Sequence, residues 1–335
     1  MHSRYAECMR LPSLKEIRAA QEIVYRHMRP TPQYAWPLLV ERLGTEAWIK
    51  HENHAPTGAF KIRGALVYMD WLRRNQLGLS GVVAATRGNH GQGVAMAAKA
   101  FGLKAKIVVP RGNSVEKNRA MRAQGAELIE HGHDFQAALE HARAIAAEEG
   151  LALVESFHER LVMGTATYAT EFFEAAPELN AVYVPIGLGS SICGMAAARN
   201  ALGRQTAIVG VVAAASPGYA RSFQAGRAVE APAQSQIADG LACRVPNQDA
   251  LAIILAEVER VVEVSEAEIR RAMRAYYEDT HNLAEGAGAA ALAGALGERE
   301  ALRGRRIGVI LSGGNVDRAI YASVLNESLS EARRS

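Results

Sequence analysis

Short apolar runs alternate with stretches whose apolar positions recur every three or four residues, and the alternation persists along most of the chain. The runs fall at 47–50, 81–85, 105–110, 127–130, 152–155, 181–186, 207–213 and 306–311. Strands separated by helices in this way predict an α/β protein built on parallel sheets. Ser13-Leu14-Lys15-Glu16 is a capping box, and Leu14, Ile17, Ala20 and Val24 form an apolar stripe behind it, so a helix opens the fold. That helix must stop before Arg29-Pro30-Thr31-Pro32, where proline removes a donor and clashes with the preceding turn. A second capping box, Ser265-Glu266-Ala267-Glu268, starts a helix carrying Ile269, Met273 and Tyr276, read as scaffold.

The chain's 335 residues can bury one large core or two ordinary ones, and two lobes are the expected arrangement. A formal charge of +3 arises from 38 basic and 35 acidic residues mixed along the chain, with no block to serve as a nucleic-acid arm or a membrane patch. Cys8, Cys193 and Cys243 are odd in number and scattered, which supports neither a disulfide framework nor zinc and fits a reducing cytoplasm. Charge interleaved through Met1 to Glu7 argues against a signal peptide, and no stretch is long and apolar enough to span a bilayer, so a soluble protein is expected. The one compositionally biased segment is the Ala/Gly-rich run at 286–297.

Chemistry concentrates in five strings. Thr57-Gly58-Ala59-Phe60-Lys61-Ile62-Arg63-Gly64-Ala65 sets one lysine behind a glycine-containing loop, among apolar and small neighbours that would crowd its amine. A lysine so enclosed becomes a nucleophile for carbonyl chemistry, although a lysine opening a helix is more commonly a surface charge. Gly187-Leu188-Gly189-Ser190-Ser191 follows an apolar run and opens a helical one, so its backbone N–H groups can converge on a phosphate. A turn of that kind also serves tight packing or a dinucleotide. The other three strings are Thr86-Arg87-Gly88-Asn89-His90-Gly91-Gln92, Ala238-Asp239-Gly240 and Leu311-Ser312-Gly313-Gly314-Asn315.

In this order and spacing the strings resemble the fold-type II pyridoxal-phosphate enzymes, specifically the serine/threonine dehydratase family, from about residue 30 to about 319. His51-Glu52-Asn53-His54, the string from Thr86 to Gln92 and Asp279-Thr280-His281-Asn282 look most similar to the hydroxyectoine-utilisation dehydratases, a subgroup also similar to the phenylserine and hydroxyaspartate dehydratases. The resemblance implies a tryptophan synthase β-like fold, with a small mobile lobe within 52–155, a large cofactor-binding lobe from 1–51 and 156–335, and a homodimer or higher homo-oligomer. Lys61 would join the cofactor aldehyde and act as base. Gly187, Leu188, Gly189, Ser190 and Ser191 would hold the phosphate, although Leu188 and Ser190 stand where the family usually has glycine. Ser312 would meet the pyridine nitrogen, Asn89 the phenolic oxygen, and Gly240 would bring backbone close to the cofactor, with Asp239 read as a turn residue. Thr86, Arg87, Gly88, Asn89 and His90 would close on the substrate carboxylate. Arg87 replaces a usual small residue, and either grips a second polar group of the substrate or forms an internal ion pair. No metal is expected, because the segment 213–221 lacks the carboxylates that many relatives use for a cation. The chain ending at Ser335, regulation through a C-terminal domain is not expected either.

The implied activity is α,β-elimination of water from an L-β-hydroxy-α-amino acid, yielding a 2-oxo acid and ammonia. β-Replacement or racemisation on the same fold, or a non-catalytic two-lobed binding protein, are the alternatives. The expected partner is a small amino-acid substrate, with no nucleic acid and no membrane.

Overall fold

The computed structural model describes residues 9–332; Cys8 and the N-terminal segment before it lie outside the described residues. The described chain contains β1 (Gln33–Tyr34), β2 (Glu46–His51), β3 (Gly81–Ala85), β4 (Lys104–Val109), β5 (Glu127–Glu130), β6 (Ala152–Leu153), β7 (Ala181–Pro185), β8 (Ala207–Ala213), β9 (Arg260–Val264) and β10 (Arg306–Leu311). They make a six-stranded sheet ordered β1-β2-β10-β7-β8-β9 and a four-stranded sheet ordered β5-β4-β3-β6. Every pairing is parallel except β1 with β2. Strands β3 and β7 are buried at every residue, which is why they read as unbroken apolar runs instead of alternating ones.

Both capping boxes form, at Ser13 with Glu16 and at Ser265 with Glu268. The first helix, Leu14–Val24, ends well before Pro30. Two strands carry no run in the sequence: β1 is two residues long, and β9 is an edge strand, half-buried over Arg260–Val262, with the exposed Glu263 and the buried Val264 beyond.

On one face of the large sheet lies the helix Gly286–Gly297, whose residues from Gly286 to Ala295 are all buried. Its small side chains let the backbone approach the sheet: a β-carbon at Gly294 would come 2.9 Å from Val211. The Ala/Gly-rich run is therefore core. The opposite face packs against the helices Glu159–Ala175 and Ser190–Ala201, through Phe172, Val182, Ile192 and Ile310 among others. The small sheet is covered on one side by Lys61–Asn75 and Asn89–Ala100, and on the other by Phe135–Glu149. Cys193 and Cys243 are both buried. Among the described residues no helix is long and apolar enough to cross a membrane.

Candidate active site

Parallel sheets present ligand sites beyond the carboxyl ends of their strands, and the marked strings lie there: Thr86 follows β3, Gly187 closely follows β7, and Ser312 follows β10. The loop before Lys61 runs alongside the loop after β10. Ala59 bridges to Gly313, the Phe60 N–H donates to the Ser312 carbonyl at 3.1 Å, and the Gly314 N–H donates to the Gly58 carbonyl at 2.9 Å. Gly58 has φ +69°, and a β-carbon there would come 2.6 Å from the Asn315 side chain, so the loop needs glycine at this position.

Three helices cross at small residues and bring Lys61 to the glycine-rich loop. Where Lys61–Asn75 crosses Glu159–Ala175, a β-carbon on Gly164 would stand 2.5 Å from the Gly64 α-carbon. Where Ser190–Ala201 crosses the same helix, a β-carbon on Gly194 would stand 2.8 Å from the Ala166 nitrogen. The lysine helix is further fixed by Arg63, wholly buried, which donates to Glu52 at 2.7 Å and to Glu171 at 2.6 Å; Lys50 donates to Glu171 at 2.7 Å. Two cations and two carboxylates thus neutralise one another inside the fold, and removing any one would leave a buried charge unpaired.

Lys61 Nζ consequently lies 3.3 Å from Ser190 Oγ and 4.9 Å from the centre of the Phe60 ring. Burial pushes its ammonium down to about 8. The glycine-rich loop is held from behind: Thr165 donates to the Ser190 carbonyl at 2.7 Å, Tyr219 donates to the Leu188 carbonyl at 3.0 Å, and the hydroxyls of Tyr168 and Ser191 are 2.6 Å apart. Gly189 caps the helix Ser190–Ala201 with φ +102° and offers no side chain to its first turn. The N–H groups of that turn are left to an anion. Gly187 faces Gly240, whose carbonyl would lie 2.5 Å from a β-carbon there. Ser312 is buried, and its hydroxyl makes no hydrogen bond among the described residues.

In the loop after β3, Thr86 Oγ1 accepts from the Gly88 N–H at 3.0 Å. His90 is buried with Nε2 unpartnered, and burial, aided by Lys61, pushes its imidazole down to about 3, so it is neutral and adds no charge. Arg87 is exposed and makes no ion pair among the described residues; the internal ion pair weighed for it is not formed. Asp239, read as a turn residue, instead accepts from Lys117 Nζ at 2.7 Å.

Three residues near these loops carried no assignment. Glu285 accepts from Asn89 Nδ2 at 2.5 Å, Asn315 Nδ2 donates to Asn89 Oδ1 at 2.8 Å, and Lys117 lies across Gly88, where a β-carbon would stand 2.9 Å from its Cδ. Burial pushes the Glu285 carboxyl up to about 7, against the pull of Lys117. For Lys117, burial alone would lower the ammonium, but Glu285 and Asp239 outweigh it and hold it above its ordinary value. Asn315 stood in the string after β10; Glu285 and Lys117 belong to segments with no signature of their own. Among the described residues no three histidines, cysteines or carboxylates are grouped to hold a metal.

Residues 24–313 match the family described as pyridoxal-phosphate dependent enzymes. The chain is 33% identical over 323 residues to L-threonine ammonia-lyase of Thermotoga maritima, covering 96% of this chain and 80% of that one. It is 32% identical over 319 residues to L-threo-3-hydroxyaspartate ammonia-lyase of Saccharomyces cerevisiae, covering 95% and 98%. The structure of maize serine racemase superposes with a TM-score of 0.88 at 28% identity, over 97% of this chain and all of that one.

Proposed function

From the chain's membership of the pyridoxal-phosphate dependent enzyme family, we propose that it is a dehydratase that converts an L-β-hydroxy-α-amino acid to a 2-oxo acid and ammonia. One observation carries the choice of site: a lysine amine of lowered pKa faces the uncapped start of the helix Ser190–Ala201. The residues fit the cofactor. The uncapped turn can take a dianion, Lys61 can hold an aldehyde, and the unspent Ser312 hydroxyl is free for a ring nitrogen. Asn89 is the candidate for the phenolic oxygen, and Gly240 lines the same cleft.

When bound, pyridoxal phosphate supplies the electron sink that makes an amino acid's α-proton removable and lets a β-substituent depart. Lys61 takes that proton; its lowered pKa leaves the free amine partly unprotonated near neutrality. Ser312 would offer the ring nitrogen a buried hydroxyl and not a carboxylate, so no full negative charge would hold a proton there. Thr86 through its hydroxyl and Asn89 through its backbone N–H bind the substrate carboxylate; Gly88, its N–H given to Thr86 Oγ1, shapes the loop, and neutral His90 fills it from behind. Arg87, exposed beside them, meets a second polar group on the substrate. Residues 52–155, which contain the small sheet, close over the site. The protein works in the cytoplasm as a homo-oligomer, to which the exposed Tyr34, Leu38, Tyr277 and Ile320 contribute apolar surface.

A panel of β-hydroxy amino acids, assayed for 2-oxo acid release by the wild type and Arg87→Ala, tests the reading. Release by the wild type is expected, with borohydride trapping the cofactor on Lys61, and Arg87→Ala should lose about tenfold or more in kcat/KM on the preferred substrate but little on serine. A D-amino acid or a β-replaced product in place of the 2-oxo acid would refute the dehydratase. An equal loss on every substrate would remove Arg87 from recognition.

A further inference from the structure

Glu285 is the N-cap of the helix Gly286–Gly297, yet its carboxylate makes no capping bond and turns to Asn89 instead. It is 4% exposed, and its own N–H donates to the Gly313 carbonyl at 3.1 Å, one residue beyond Ser312. A β-carbon on Gly313 would stand 3.3 Å from Asn89 Nδ2 and would also meet Glu285 Oε1, so nothing larger than hydrogen separates the two partners from that loop. The amides downstream are oriented in sequence. Asn315 Nδ2 donates to the Thr57 carbonyl at 2.7 Å and to Asn89 Oδ1 at 2.8 Å. Reversing Asn89 would set oxygen against the carboxylate and nitrogen against the Asn315 amino group, so only one orientation satisfies both neighbours. Lys117 Nζ, 3.9 Å from Glu285 Oε2, supplies the countercharge.

We propose that Glu285 is a positioning residue for the reaction, holding the Asn89 amide with one Nδ2 hydrogen spent on the carboxylate and the other left for the phenolic oxygen of the cofactor. The inference rests on the cofactor reading above. It requires only an acceptor oxygen at position 285, which a protonated carboxyl or an amide also provides. Glu285→Gln therefore retains the role and Glu285→Ala abolishes it.

The test compares the absorbance band of the bound cofactor and its dissociation constant in the wild type, Glu285→Gln, Glu285→Ala, Asn89→Ala and the double alanine variant. Glu285→Gln should stay within about twofold of wild type. Glu285→Ala should weaken cofactor binding about tenfold, as loss of one buried hydrogen bond does, and shift the band in the same direction as Asn89→Ala. The double variant should be no worse than Asn89→Ala alone. If Glu285→Ala does not fold, Glu285→Asp, one methylene too short to reach Asn89, takes its place with the same expectation. A wild-type band and affinity in Glu285→Ala or Glu285→Asp, or additive losses in the double variant, overturn the inference. A wild type that shows no cofactor band overturns the cofactor reading itself.

Discussion

At Lys61, burial and reactivity act in the same direction. The crowding that lowers its pKa was legible in Phe60 and Ile62, which flank the lysine in the sequence. Its hydroxyl partner at 3.3 Å, Ser190, lies 129 residues away and was not. Because the folded-state value of about 8 is below the unfolded 10.5, the unfolded chain binds more protons between them. Stability from the neutral amine is therefore fully present above the unfolded value and is lost as pH falls through about 8. In cofactor-free protein, trinitrobenzenesulfonate should label Lys61 with a half-maximal rate near pH 8, below the exposed lysines, as read by peptide mapping across pH. Labelling of Lys61 in step with the surface lysines would mean that its amine is solvated.

The elements that set Lys61 and Ser190 face to face are three helices crossing at Gly64, Gly164 and Gly194. The helical runs after Lys61 and after the glycine-rich loop were legible in the sequence, but the crossings were not, since a close crossing leaves no mark on either sequence alone. Gly164→Ala places a methyl group against the Gly64 α-carbon and the Arg63 carbonyl. Overpacking of this kind should cost about 1–3 kcal/mol in urea unfolding and reduce cofactor absorbance by moving Lys61. A variant with unchanged stability and absorbance would show that the crossing has room to spare. β9 was missed for a related reason: Arg260 and Glu263 stand among its valines, and pairing with β8 supplies the order that its composition does not.

Across the whole molecule, the segment 114–117 fastens the small-sheet side to the large-sheet side. Ser114 bonds Asp317, Glu116 accepts from the Arg318 N–H at 3.1 Å, and Lys117 pairs with Asp239 at 2.7 Å. Lys117→Met keeps the length of the side chain but leaves Asp239 and Glu285 without their shared cation. That substitution should raise KM about tenfold, more than it lowers kcat, and speed hydrogen exchange across the helix Val115–Ala123, because a charged hydrogen bond across the seam is lost. Unchanged exchange together with an unchanged KM would show that the seam holds without Lys117.

What the sequence determined by itself was local or repeated: the strand and helix alternation, the two capping boxes, and the candidate residues carried by contiguous strings such as Thr57–Ala65 and Leu311–Asn315. Each depends on neighbours within a few positions, so the order of residues already contains the cause. Only the tertiary structure decided which side chains finish the site. Glu285, Lys117 and the buried Arg63–Glu52–Glu171–Lys50 group take their roles from partners up to 196 residues distant. The free energy of such a contact depends on burial and countercharge, which exist only once the two sheets and their helices have packed.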